Sequence, residues 1–243
     1  MQILFRDDHC VAISKPAGLL VHRTPLDPRG ERFALQLARN QLGRRVYPVH
    51  RLDRPTSGVL VFAFTPEAAR HLVTAFAERR VKKRYLLVAR GVVAEEGVID
   101  HPLPDLPDRS SACRKGGEER GAVTAYRRLA TAELPVAVGR YPTSRYSLLL
   151  ALPRTGRRHQ LRRHFKHIFH PVIGDTNYGE GRHNRFFRDE LGCARLLLHA
   201  AELAFPHPAN GEEVTVTAPP SGAFASLIDR LGWQGVLPAG WLP

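Results

Sequence analysis

Hydrophobic and polar positions alternate along the chain in short runs, which predict many strands and few helices. Residues 3–5 and 11–14 read as strands, followed by a turn at Lys15-Pro16-Ala17-Gly18. The spacing predicts a helix over 31–42. Residues 59–64 are apolar at every position, the pattern of a strand buried on both faces. Thr65 then stands as an N-cap, with Pro66 at the first helical position and Glu67 behind it. Ala69, Leu72, Val73, Phe76 and Ala77 recur at helical spacing and predict that helix's core-facing stripe. Further strands are expected at 85–89, 122–129, 147–152, 195–205 and 213–217. A short basic helix is expected at 158–169 and another helix at 222–231. Residues 101–121, rich in Pro, Gly and charge, read as an exposed loop or insertion. With no repeat and no long low-complexity linker, a single domain over 1–243 is expected. Its class is α+β: a mixed, mostly antiparallel sheet with flanking helices.

Composition changes this picture through charge. Lys plus Arg number 36 against 23 Asp plus Glu, giving +13 and a sequence pI near 10.5. Such a field draws polyanions, and neutralising phosphates releases condensed counterions. Nucleic acid is the natural partner, although an anionic membrane surface or a merely basic protein would show the same balance. Cys10, Cys113 and Cys193 are far apart and form neither a disulfide framework nor a CxxC pair, which points to a reducing compartment. Charge arrives at Arg6-Asp7-Asp8, too early for a signal peptide, and no apolar run is long enough to span a bilayer. A cytoplasmic protein without membrane association is expected.

The candidate chemistry centres on His50-Arg51-Leu52-Asp53-Arg54-Pro55-Thr56-Ser57-Gly58. An acid flanked by arginines lies in a segment of strong turn chemistry, just before a buried strand. Pro55 pushes Arg54 towards an extended conformation, and Gly58 allows a sharp entry into the strand. A rigid loop anchored by a sheet suits a reactive side chain. On its own, Asp53 reads equally well as a salt-bridged loop residue.

The nine-residue stretch resembles the catalytic signature of the RluA family of pseudouridine synthases. Lys83-Arg84-Tyr85 resembles that family's Lys-x-Tyr motif. Thr155-Gly156-Arg157-Arg158-His159-Gln160-Leu161-Arg162 resembles its second arginine motif, and His170-Pro171-Val172-Ile173-Gly174-Asp175 the segment that follows. Four motifs in order, reaching from about residue 10 to 200, make a specific signal. Residues 138–146 and 158–164 resemble a branch of the family that modifies T-stem uridine-65 of tRNA. An N-terminal S4-type domain, carried by many ribosomal members, is not expected. The resemblance implies the pseudouridine synthase fold with a central RNA-binding cleft. It also implies isomerisation of an RNA uridine, with RNA, above all tRNA, as partner. No cofactor, metal or protein partner is implied.

By the same resemblance, Asp53 is the catalytic carboxylate, acting on the sugar as nucleophile or as base. Arg162 is the guanidinium that favours its ionised form, and Tyr85 stacks on the target uracil and is a candidate to take the proton from the base carbon. Stacking on an aromatic ring contributes about 1–3 kcal/mol per base. Arg51 is assigned the place vacated when the uridine leaves its stack. Arg54, Lys83, Arg158 and Arg163 are candidate RNA contacts, within a wider basic track that includes Arg79, Arg80, Lys82 and Arg157. On the short helix, Leu161, Phe165 and Ile168 should face the core, with Arg158, Arg162 and Lys166 on the neighbouring stripe.

Rival readings remain. A ribosomal RNA substrate would keep the family and move the target. His159, His164, His167 and His170 invite zinc, but they lack a nearby Cys or carboxylate in the sequence. A metal-dependent nuclease would need Asp53 to cluster with Asp100, Asp105 or Asp108. A non-catalytic RNA-binding protein explains the charge but not an acid fixed among arginines.

Overall fold

The computed structural model describes residues 1–22, 32–106 and 117–241. In chain order the elements are β1 (Gln2–Arg6), β2 (Cys10–Lys15), α1 (Ala34–Leu42), β3 (Tyr47–Pro48), β4 (Ser57–Ala63), α2 (Pro66–Ala77), β5 (Lys82–Arg90), β6 (Glu96–Asp100), β7 (Leu103–Pro104) and β8 (Glu119–Arg120). They continue with β9 (Val123–Leu134), β10 (Ser144–Pro153), α3 (Gln160–His167), α4 (Gly181–Asp189), β11 (Leu198–Pro206), β12 (Glu213–Thr217) and α5 (Ala223–Arg230). Among the described residues, one open sheet runs β1-β2-β4-β11-β5-β10-β9-β6, with β3 on β4 and β12 on β11. Its strand pairings are antiparallel except β4 with β11, which run parallel through Ser57 and Gly58 against His199 and Ala200. The expected mixed, mostly antiparallel α+β sheet is therefore present. No helix among the described residues is long and apolar enough to cross a membrane.

The β4–β11 crossing depends on one glycine. Gly58 has φ +116°, and a Cβ there would lie 2.1 Å from the backbone oxygen of Ala200. Only the absence of a side chain lets the two strands approach so closely. This contact anchors the 50–58 loop to the centre of the sheet.

Alternation along the strands divides the core between two faces. On one face, Val59, Val61 and Ala63 of β4 pack with α2, while Leu86 and Val88 of β5 pack with α4 and α5. On the other, Leu60 and Phe62 pack with α1, while Leu87 and Ala89 pack with α3. Tyr85 touches both clusters of this second face, so it sits in the seam between them. That seam opens into a cavity lined by Tyr85.

Several sequence expectations need correction. β4 is buried at every position and Thr65 caps α2 through its Oγ1, 3.2 Å from the Ala68 N–H, as expected. The α2 stripe is rotated, however: Ala68, Leu72 and Ala75 are buried, whereas Val73 is 47% exposed and Ala77 is exposed. The small Ala68 and Ala75 let the helix lie close to β4, and that contact overrides the count of apolar residues. The start of the predicted 31–42 helix lies partly outside the described residues, and α1 begins at Ala34. α3 begins at Gln160 rather than 158, because His159 adopts a left-handed backbone with φ 56°. The stretch 101–121 is more than a loop. Its described ends form the β7–β8 ribbon and bury Leu103; residues 107–116, including Asp108 and Cys113, lie outside the described residues.

Candidate active site

The loop before β4 alternates as a short extended segment. Leu52 is buried in the cluster around α1, while Arg51 and Asp53 line a cavity of about 290 Å³. The turn closes through Thr56 N–H to Asp53 O at 3.0 Å. A second turn braces it from behind. The Gly18 N–H donates to Arg54 O at 2.8 Å, and Arg54 Nε returns a bond to Gly18 O at 3.0 Å. Lys15, fully buried, donates to the carbonyls of Pro16, Leu19 and Arg54. The loop bearing Asp53 is thus fixed by backbone bonds from a neighbouring element. Arg54, expected to meet RNA, directs its Nε to the Gly18 carbonyl and does not line the cavity.

Arg162 projects from the first turn of α3 and is buried between two carboxylates. Its Nε and Nη2 donate to Asp175 at 2.7 and 2.8 Å, a bidentate pair, and its Nη1 donates to Asp53 Oδ2 at 3.3 Å. The two acids are held unequally. Asp175, with a side chain 1% exposed, also accepts the backbone N–H groups of Asn177 and Tyr178. Burial alone would raise its pKa, but the Arg162 bonds and charge and these N–H groups hold it below the usual carboxylate value. Asp53 is 21% exposed and faces the cavity, with His159 Nε2 3.8 Å from its other oxygen. Burial keeps the His159 imidazole below its ordinary pKa despite the pull of Asp53. Tyr178 lies beneath this group: its hydroxyl is 3.0 Å from His159 Nδ1 and its ring 5.2 Å from the Arg162 carbon. The site therefore offers one carboxylate satisfied by the protein and one open to a ligand.

Lys83 and Tyr85 point to the same face of β5 because they are two residues apart. Both line the cavity. Burial, then the charge of Asp53, pushes the Tyr85 hydroxyl well above its ordinary pKa, so it stays protonated. Lys83 Nζ donates to Thr155 O at 3.0 Å. The opposite wall is set by Gln160, which accepts from Thr155 Oγ1 and the Arg157 N–H and donates to Val123 O and Thr124 Oγ1. His50 accepts the Val61 N–H on Nε2 and stacks on Phe76 at 4.7 Å; burial drives its pKa to about 3, so it is neutral.

The structure thus brings Asp53, Tyr85, Arg162, Arg51 and Lys83 to one cavity across 112 residues of sequence. Besides Arg54, it leaves two more predicted contacts elsewhere. Arg158 is exposed outside the cavity lining, and Arg163 Nη1 ties α3 to the ribbon through Pro104 O at 3.0 Å. Among the described residues the four histidines of the zinc reading do not gather. His164 and His170 bond the carbonyls of His101 and Arg90, and His159 bonds Tyr178. Asp105 pairs with Arg120 rather than with Asp53. Asp175, Gln160, His50 and His159 were missed as site residues. A signal existed for Asp175, an acid that ends the His170–Asp175 motif of a strongly basic chain.

Residues 9–167 match the model of a family described as RNA pseudouridylate synthase. The chain is 47% identical over 240 residues to tRNA pseudouridine synthase C of Pectobacterium carotovorum, covering 98% of this chain and 64% of that protein's length. It is 46% identical to tRNA pseudouridine synthase C of Vibrio parahaemolyticus, covering 96% of each. Among solved structures, human RNA pseudouridylate synthase domain containing 4 superposes with a TM-score of 0.71 at 25% identity, covering 95% of this chain and 93% of that one.

Proposed function

Because the chain belongs to the RNA pseudouridylate synthase family, we propose that it isomerises a uridine of tRNA to pseudouridine, with T-stem uridine-65 as the target. The reading is supported above all by the unequal pair of carboxylates on Arg162. Asp175 is saturated and fixes the guanidinium; Asp53 is oriented by it and still presents its carboxylate to the cavity.

The reaction breaks the bond from the anomeric carbon to uracil N1 and forms one to C5. C5 loses a proton, N1 gains one, and nothing is oxidised or reduced. The protein must therefore supply a positioned carboxylate and a container for the detached base. Asp53 meets the sugar. Arg162 keeps Asp53 aimed, and Asp175 keeps Arg162 in place, an outer support that limits movement of the acid. Tyr85, on a strand at the centre of the sheet, stacks on the base and restrains its rotation. Arg51, on the exposed rim, occupies the place left by the extruded uridine and repays part of the few kcal/mol that extrusion costs. Arg157 and Lys83 add positive charge at the mouth.

Asp53→Asn tests the assignment. Pseudouridine formation in tRNA should stop, while tRNA binding stays within about tenfold of wild type, under about 1.4 kcal/mol. Continued modification by that variant would remove Asp53 from the chemistry. Mapping pseudouridine in RNA from a deletion strain identifies the position; loss of a ribosomal site instead of a T-stem site would move the substrate.

A further inference from the structure

A second recess of about 350 Å³ opens beside the cavity and shares Phe76, Lys83, Thr155, Gly156 and Arg157 with it. Its remaining wall carries Arg79 and Arg154. Every charged residue lining it is a cation. Neighbouring cations of the same region are neutralised: Arg80 pairs with Glu78, Lys82 with Glu213 and Arg84 with Glu202. Among the described residues, the side chains of Lys83 and Arg157 in the recess bond backbone carbonyls, of Thr155 and Gly121, and neither Arg79 nor Arg154 has a carboxylate partner. Burial first, and the charge of Arg79 second, lower the Lys83 pKa to about 8.

The backbone of Arg79 adds an independent observation. It closes α2 in a Schellman turn, with Arg80 N–H to Ala75 O at 2.9 Å and Arg79 N–H to Phe76 O at 3.3 Å. Its φ is +60°, at the position where helices usually place glycine. The chain therefore keeps an arginine side chain where its own backbone favours none, and that side chain points into the recess.

We infer that this recess is a phosphodiester-binding channel that seats the RNA backbone beside the target uridine, with Arg79 and Arg154 as its phosphate contacts. The channel rests on the RNA-modifying reading and deepens it. It continues directly from the mouth of the base cavity, so a strand whose uridine is extruded passes over it. Neutralising its cations releases counterions, which makes the contribution readable as salt dependence.

The test compares wild type, Arg79→Gly, Arg154→Ala and the double variant for tRNA binding across a KCl series, with steady-state kinetics and thermal unfolding. Each single variant should raise Kd about 3–10-fold and reduce the slope of log Kd against log salt by about one. KM should rise while kcat stays within about twofold, and Arg79→Gly should unfold at the wild-type temperature or above it. An unchanged slope in the double variant overturns the channel. So does a loss of affinity in Arg79→Gly that comes with a lowered unfolding temperature, since that marks a structural arginine. Wild-type turnover on tRNA reports the parent reading separately: turnover with an unchanged slope sinks the channel alone, and no turnover sinks the parent reading.

Discussion

Replacing Asp175 by Asn separates the two carboxylates that share Arg162. The variant keeps the shape of the side chain and an oxygen for the Asn177 and Tyr178 N–H groups, but removes the charge that Arg162 meets at 2.7 and 2.8 Å. The guanidinium is 5% exposed, and its remaining acid, Asp53, lies at 3.3 Å. Breaking a buried pair by removing one partner costs about 3–5 kcal/mol, because the other charge stays buried. For a chain of this size about 2–4 °C of Tm follows each kcal/mol, so a fall of roughly 6–20 °C is expected. Asp53→Asn, by contrast, removes a half-buried acid with one long bond and should cost under about 1 kcal/mol. The difference also depends on pH. The pKa of Asp175 is held below its ordinary 3.8 in the folded chain. Its stabilisation is therefore complete above about pH 3.8 and fades as pH falls through the lower folded value. Thermal unfolding followed by circular dichroism from pH 7 to pH 3 should show a full gap between wild type and Asp175→Asn at neutral pH that narrows only below 3.8. Equal Tm losses for the two Asn variants, or a gap already closing at pH 6, would refute the unequal grip.

Tyr85→Phe keeps the ring and removes a hydroxyl that stays protonated; tRNA affinity should hold within about twofold while the single-turnover rate falls at least about tenfold, and an unchanged rate would leave Tyr85 with stacking alone. Tyr85→Ala should lose about 1–3 kcal/mol of binding as well. Gly58→Ala puts a Cβ 2.1 Å from the Ala200 oxygen at φ +116°. Neither backbone can yield without opening the sheet, so the variant should be insoluble or strongly destabilised, and a Tm within about 2 °C of wild type would show the crossing to be looser.

What the sequence revealed follows how local each signal is. β4 announced itself because seven buried positions leave no polar face, and the cap of α2 because Thr65, Pro66 and Glu67 act within one turn. β6 and α4 stayed hidden. β6 is an edge strand with one buried residue, Ile99, and α4 is a mostly polar stretch that buries only Phe187. The stripe on α2 was misjudged because helix rotation is set by the partner surface, not by counting apolar residues. The site divides in the same way. Asp53 stood out locally as an acid among arginines, but its pairing with Arg162 spans 109 residues and was legible only through family resemblance. Asp175 stands inside a motif, yet nothing local says that two backbone N–H groups and a guanidinium converge on it.

An acid placed where a polyanion must dock is an electrostatic burden, and the structure shows how it is carried. Had Asp53 received the bidentate grip given to Asp175, its charge would be neutralised and its oxygens occupied, harmless to RNA and useless to a sugar. The arrangement does the reverse. Asp175 neutralises Arg162 from the buried side, so Arg162 orients Asp53 while the group keeps a net negative charge at the cavity. The repulsion between that charge and the RNA backbone is offset nearby rather than on the acid itself. At an effective dielectric near 20, a phosphate about 4 Å from an arginine gains about 4 kcal/mol, and one about 8 Å from Asp53 loses about half of that. On the proposed reading, cations beside the cavity, not within the carboxylate's own shell, let the chain hold RNA and still leave one oxygen pair free to react.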